Sequence, residues 1–173
     1  SKLTLKEYFL NIRTDLLKSA VRDVIIEMIS TICHVGHEDN DVYSLILNTL
    51  RTLDCTINDD AGAIAHLAAF LLRFTENAGY AVQCDACAGC NKDLSELSSG
   101  YLSISDGAML CCQCIAEPDP QLLVPLNIFH HSCSGTQYGI DNLLCIPLPK
   151  LKRATLLLYD YCRYHFDIRK NLH

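Results

Sequence analysis

The stretches that decide the fold are CDACAGC at 84–90 and CCQC at 111–114, which together contain six cysteines. Zn²⁺ binds thiolates in tetrahedral geometry, and a Cys-x-x-Cys turn lets two sulfurs approach the same ion. One such pair on each side of a short hairpin supplies four ligands. These stretches therefore predict a zinc knuckle. A metal held by four thiolates has no open position for water, so its predicted role is structural.

The spacing alone leaves open which four cysteines bind the metal. Both Cys84 and Cys90 are separated from Cys87 by two residues, so either can complete the first pair. In the second stretch, Cys112 is only one residue removed from Cys114, which closes a poorer chelate. The set with four-thiolate zinc spacing, C-x2-C-x20-C-x2-C, is Cys87, Cys90, Cys111 and Cys114. The alternatives are reduced thiols without a metal and a redox Cys-x-x-Cys. No βαβ pattern surrounds the motif to favour the latter.

The first 80 residues have the apolar periodicity of helices. Residues 4–7, Thr-Leu-Lys-Glu, form a capping box, and three further segments follow, ending near Gly36, before 58–62 and at Gly79. Their apolar stripes include Val21, Val24, Ile25, Met28, Ile29 and Ile32, then Val42, Leu45, Ile46, Leu50 and Leu53, then Ile64, Leu67, Ala68, Leu71, Leu72 and Ala78. Four such segments joined by short polar turns predict an antiparallel helical bundle.

The helical period is lost around the cysteines and returns after them. GYLSIS at 100–105 predicts one strand of a hairpin that turns at Asp106-Gly107 and leads to the second cysteine pair. Helices are predicted near 119–132 and from Pro149 to about Arg169. The predicted class is all-α, an antiparallel helical bundle with an inserted four-cysteine zinc knuckle or hairpin. Its parts are 1–82 (bundle, first part), 83–118 (knuckle) and 119–173 (bundle, second part).

The amino-acid composition limits the classes of function that this chain can have. Half of the 173 residues are hydrophobic, so the chain can bury a core, and its net charge of −6 argues against a surface devoted to nucleic acid. The charge is uneven, because 148–173 holds six bases and two acids. The longest apolar run, at 61–72, includes His66 and is too short to span a bilayer. Eleven cysteines without a secretion signal favour metal ligation over disulfides.

No enzyme motif is legible in the sequence. A zinc deaminase needs a His-x-Glu or Cys-x-Glu element before its cysteine pair, and a zinc protease needs His-Glu-x-x-His. The dipeptide His37-Glu38 fits neither spacing. There is also no phosphate-binding loop and no Gly-x-Ser-x-Gly. The prediction is a non-enzymatic protein, with a zinc or thiol redox-responsive interaction domain and an unrecognised hydrolase as alternatives.

The order of these features resembles the C-terminal part of the bacterial recombination mediator RecO. The resemblance lies in LLRFTENAGYAVQCDACAGCNKDL at 71–94, DGAMLCCQCIAEP at 106–118 and LLLYDYCRYHFDIRKNLH at 156–173. In that family, Gly-Tyr precedes Cys-x-x-Cys-Gly, and Leu-Cys-x-x-Cys follows a Gly-rich turn. Its register places Cys84 where an apolar residue is usual, and so selects the four-cysteine set given above. Asn91 replaces the usual glycine and is expected to adopt a left-handed conformation.

The resemblance implies a role in DNA repair through the RecF pathway. Members of the family bind RecR and the acidic, hydrophobic C-terminal tail of single-strand-binding protein, anneal DNA, and help load RecA. It also implies a cytoplasmic, nucleoid-associated protein with one structural Zn²⁺. The family's N-terminal OB-fold domain, which contributes DNA binding, is expected to be missing from this chain, so DNA binding here should be weak. The candidate partner or nucleic-acid residues are Lys152, Arg153, Arg163, Arg169 and Lys170.

Overall fold

The computed structural model describes residues 8–32, 40–57, 59–130 and 139–166. The described part is mostly helical, as the sequence predicts. The predicted capping box at 4–7, the stop at Gly36 and the end of the last helix beyond 166 lie outside the described residues. The helices are α1 (Leu10–Thr14), α2 (Leu16–Ile32), α3 (Asn40–Cys55), α4 (Asp60–Asn77), α5 (Asn127–His130), α6 (Ile140–Leu144) and α7 (Leu148–His165).

Helix α4 forms the centre of the core. It begins where Asp59 accepts a hydrogen bond from the Gly62 amide at 2.6 Å, and it ends before Gly79, whose φ of 78° lies in the left-handed region. The end at Gly79 agrees with the sequence prediction. Helix α4 contacts α2, α3, α6 and α7. Its small, buried residues allow these helices to approach closely, and they are Gly62, Ala63, Ala65, Ala68 and Ala69.

The all-α prediction is incomplete, because the cysteine region builds a three-stranded antiparallel sheet beside the helices. Strand β1 (Ser99–Ser103) lies between β2 (Ala108–Leu110) and β3 (Leu123–Pro125). The β1–β2 hairpin matches the prediction. Strand β3 falls within 119–132, where a helix was expected, after a 3₁₀ turn at Pro120–Leu122. A three-residue strand has no periodicity of its own, and only its long-range pairing with β1 makes it a strand.

The antiparallel arrangement of the helices and the division of the chain into three parts remain predictions. Several helices pack against α4. An antiparallel bundle is one arrangement that gives these contacts. The sheet extends past residue 118, since Val124 of β3 pairs with Gly100 of β1. Among the described residues, no helix combines the length and the apolar character needed to cross a membrane.

A buried polar cluster joins α2, α3 and α4. The Nδ1 atom of His66 lies 2.8 Å from the carbonyl oxygen of Gly62, which can only accept, so Nδ1 carries the proton. Its Nε2 atom lies 3.3 Å from the hydroxyl of Thr56. The fully buried ammonium of Lys18 donates to the carbonyl of Thr56, just past the end of α3, where the helix dipole favours a cation. His66 is therefore a satisfied core residue.

We expect His66 to make the fold acid-sensitive. Burial lowers the pKa of His66 below 6.5, and the charge of Lys18 lowers it further, against the opposing effect of the Gly62 carbonyl. The unfolded chain then binds a proton that the folded chain does not. The resulting stability is complete above pH 6.5 and is lost as the pH falls toward the folded pKa, by about 1.4 kcal/mol for each unit of pKa difference.

Urea unfolding at pH 7.5 and pH 5.5 measures this loss. His66→Gln removes the titrating group but keeps a side chain that can hydrogen-bond, so its stability should fall less between the two pH values. An equal fall in the variant and the unchanged protein would contradict the prediction.

Candidate metal centre

The first cysteine pair lies on a tight turn held from both sides. The Cys87 amide donates to the carbonyl of Lys92 at 2.8 Å, and the Asn91 amide donates to the carbonyl of Cys87 at 2.8 Å. Asn91 has a φ of 58°. The expected left-handed conformation is therefore present, and it lets the chain reverse just after Cys90.

The second pair follows strand β2. Cys111 comes directly after Leu110, and the Cys114 amide donates to the carbonyl of Cys111 at 3.1 Å, which closes the second turn. The two turns are joined where the Ala88 amide donates to the carbonyl of Met109 at 2.9 Å. The hairpin thus returns the chain so that the two pairs face each other.

The structure brings the four predicted ligands together. The sulfurs of Cys87, Cys90, Cys111 and Cys114 all lie within 4.8 Å of one another. The Sγ atoms of Cys90 and Cys111 are 3.8 Å apart. Tetrahedral zinc with Zn–S bonds of about 2.3 Å also places its sulfurs about 3.8 Å apart. The donor set and its dimensions therefore fit zinc, and metal ligation itself stays a prediction.

The electrostatics of the cluster favour a bound cation. Burial opposes ionisation of Cys87, but the backbone amides of Cys111, Cys90 and Gly89 outweigh it and lower the pKa of Cys87 to about 6. Side-chain contacts with Cys90 and Cys111 raise the pKa of Cys114 to about 12. A thiolate formed at Cys87 therefore opposes the ionisation of Cys114. A divalent ion would stabilise all four thiolates together.

Gly89 fits the centre for a steric reason that the sequence analysis did not identify. A Cβ atom added there would lie 2.7 Å from the Cβ of Cys114 and 2.9 Å from its Sγ. The two turns can therefore approach only if residue 89 has no side chain. A glycine between two paired cysteines is visible in the sequence, but the facing atoms are not.

The two extra cysteines lie outside the cluster. Cys84 is half-buried and packs against the core, and Cys112 is exposed. Cys84 lies in the position that the family register assigns to an apolar residue, and its packing agrees with that register.

Three of the five candidate partner residues lie on α7. Lys152 forms a 3.0 Å ion pair with Asp60, and Arg153 is half-buried. The guanidinium of Arg163 stacks 5.6 Å from the ring centroid of Tyr159, and its buried Nε has no hydrogen-bond partner among the described residues. Arg169 and Lys170 lie outside the described residues.

An exposed leucine on α7 was missed by the sequence analysis. Leu156 is 64% exposed, although it follows the buried Thr155. It shares one helix face with Lys152, Tyr159 and Arg163, because these residues recur at spacings of four, three and four. An apolar residue outside the core stripe was the signal available in the sequence. We call this set, residues 152, 156, 159 and 163, the α7 face.

The fold and the cysteine cluster define a class of protein, a mostly helical domain with a four-cysteine cluster that could hold a metal ion. The family described as Recombination protein O C terminal matches residues 13–171. The chain therefore belongs to this family, which confirms the resemblance found in the sequence.

Several relatives share the name DNA repair protein RecO. The one from Desulfatibacillum aliphaticivorans is 28% identical over 128 residues, which are 72% of this chain and 48% of that relative. The one from Roseiflexus sp. (strain RS-1) is 29% identical over 120 residues, 69% of this chain and 40% of the relative. The chain thus spans less than half the length of these relatives. No solved structure matches.

Proposed function

We propose that this chain is the helical, zinc-binding part of a RecO-like recombination mediator that acts in DNA repair without catalysing a reaction. The family match over residues 13–171 is the observation that carries this proposal. The proposed cellular location is the cytoplasm, in association with the nucleoid.

The proposed cofactor is one structural Zn²⁺ bound by the four cysteines of the cluster. When bound, the ion would join the two cysteine turns rigidly. It would have no open coordination position for a reaction. The region around the cluster has only a short sheet, so a metal would add a link between its turns that the sheet alone does not provide.

The proposed partners are RecR, DNA and the C-terminal tail of single-strand-binding protein. The resemblance to the family implies a tail that is acidic and ends in an apolar residue. The α7 face carries basic and apolar side chains, which complement such a tail. Arg163 offers a half-buried guanidinium over the ring of Tyr159, and Leu156 offers an exposed apolar contact. An acidic tail would gain charge-assisted hydrogen bonds from Arg163 and would cover Leu156.

We expect the chain to bind a fluorescently labelled peptide of this tail, and Arg163→Ala to weaken binding about tenfold. The loss follows from the donors that Arg163 presents to a carboxylate. Fluorescence anisotropy at moderate salt measures both affinities. Removal of the terminal phenylalanine from the peptide should abolish binding.

Arg13→Ala is the matched control, since Arg13 is an exposed arginine on α1 and is remote from α7 in the chain. It should leave the affinity unchanged. Equal weakening by both variants would mean that only total charge matters, and it would remove α7 as the docking surface. A folded, zinc-loaded chain that binds no tail peptide would contradict this part of the proposal.

DNA binding by this part alone is proposed to be weak and salt-sensitive. The net charge is −6, so few phosphates can be neutralised. DNA annealing and RecA loading are accordingly proposed for the longer protein, with this chain as its partner-binding and zinc-binding part. Tight filter binding of DNA at physiological salt would contradict the weak-binding proposal.

A further inference from the structure

A small cavity lies where the end of α4 meets the start of the cysteine region. Its volume is about 150 Å³. The apolar part of its lining includes Leu72, Val82 and Phe129, and the polar part includes Glu76 and Asp85. An apolar cavity of about this volume can hold a benzene ring. The space therefore suits one medium-sized apolar side chain.

The surroundings of the cavity are acidic. Asp85 is exposed, and Asp93 lies on the neighbouring segment, because Ala86 pairs with Asp93. Asp106 directly precedes Gly107, whose carbonyl accepts the amide of Gln83 at 2.8 Å. Glu76 contributes less, since it forms a 3.2 Å ion pair with Arg73.

The whole cysteine region is also acidic. Residues 83–118 contain five acids and one base, a formal charge of −4. Four thiolates with one Zn²⁺ would add −2 to this value. Phosphates and acidic peptides are repelled by such a surface, whereas a basic segment is attracted to it.

We propose that this cavity is a docking site for a basic segment of a partner protein. One apolar side chain of the segment enters the cavity, and flanking lysines or arginines face Asp85, Asp93 and Asp106. This site is separate from the α7 face, whose chemistry suits an acidic tail. The chain would then hold an acidic and a basic partner on different surfaces.

The metal centre supports the cavity. Residues 81–85 form one wall, and this wall is tied to the hairpin by the bond from Gln83 to Gly107 and by the Met109 amide, which donates to the Gln83 carbonyl at 2.9 Å. Met109 in turn accepts from Ala88, within the first cysteine turn. Loss of zinc should therefore remove the cavity while α4 stays folded.

The test is a titration of the ¹⁵N-labelled, zinc-loaded chain with the peptide Lys-Arg-Leu-Arg-Lys, followed by NMR. Saturable shifts are expected at the amides of Val82, Gln83 and Phe129. Replacing the peptide leucine by alanine should weaken binding at least about tenfold, because the buried apolar group is lost. The peptide Glu-Glu-Leu-Glu-Glu should cause no shifts, and removal of zinc by a chelator should abolish those of the basic peptide.

Two charge reversals complete the design. Asp85→Lys should weaken binding about fivefold or more, whereas Glu117→Lys, the same change outside the cavity lining, should have little effect. Zinc content and spectral dispersion confirm that each variant is folded. Equal weakening by both variants, equal binding of the leucine and alanine peptides, or binding that survives zinc removal would overturn the proposal. Concentration-dependent shifts at the cavity without peptide would also overturn it, because they would identify a second copy of the chain as the occupant.

Discussion

Cys87→Ser is expected to reduce bound zinc from about one ion per chain toward none. Cys87 is buried, and its sulfur accepts a hydrogen bond from the Cys111 amide at 3.2 Å. A serine hydroxyl is a hard, largely protonated ligand that replaces a thiolate poorly. With three cysteines left, the two turns lose their link, and the region they hold should unfold at a lower temperature than in the unchanged protein. Zinc content by mass spectrometry and thermal unfolding followed by circular dichroism measure both effects.

Cys84→Ser and Cys112→Ser are the matched controls, since both cysteines flank the cluster without belonging to it. Each should retain zinc and nearly unchanged stability. Zinc loss in Cys84→Ser together with retention in Cys90→Ser would show that the ligand set is wrong. Zinc retention in Cys87→Ser would contradict the proposed centre altogether.

Phe74→Ala should destabilise the chain by about 3–5 kcal/mol. Phe74 is 1% exposed and lies on α4, the helix that most of the others contact. Its ring centroid lies 5.5 Å from that of Phe70 and 5.1 Å from that of Phe166, which it meets edge to face. Alanine would remove these contacts and leave a cavity between α4 and the end of α7. Urea unfolding followed by circular dichroism gives the free energy.

Tyr164→Ala tests whether burial causes the loss. Tyr164 is another aromatic residue of the same region, but it is 61% exposed. Its replacement should change the free energy of unfolding by about 0.5 kcal/mol or less. If the two substitutions cost the same, the aromatic cluster at the end of α4 would not be the packed core that the structure shows.

Much of the fold was predictable because local patterns specify it. The stripes of α2, α3 and α4 recur at helical spacing over four or more turns, and the end of α4 at Gly79 follows from a left-handed conformation that glycine adopts easily. Strand β3 was not predictable, because its three residues take their conformation from pairing with β1, more than twenty residues earlier in the chain. The same applies to Lys18, whose burial depends on the end of α3 being close to it.

The candidate metal centre was likewise predictable only in part. The spacing of the cysteines, with the family register, named the four that the structure brings together, because a Cys-x-x-Cys turn sets the distance between its own two sulfurs. The spacing could not give the close approach of the two turns at Gly89, which depends on atoms from both.

The sequence by itself determined helices α2, α3 and α4, the cysteine pairs and the resemblance to the family, since each depends on residues that are neighbours along the chain. Only the tertiary structure decided that Lys152 is paired with Asp60, while the buried Nε of Arg163 has no hydrogen-bond partner within the described part of the chain. It also decided that a cavity forms between α4 and the cysteine region. Both depend on contacts between distant segments, and such contacts are set by how the faces of the helices and the sheet pack together.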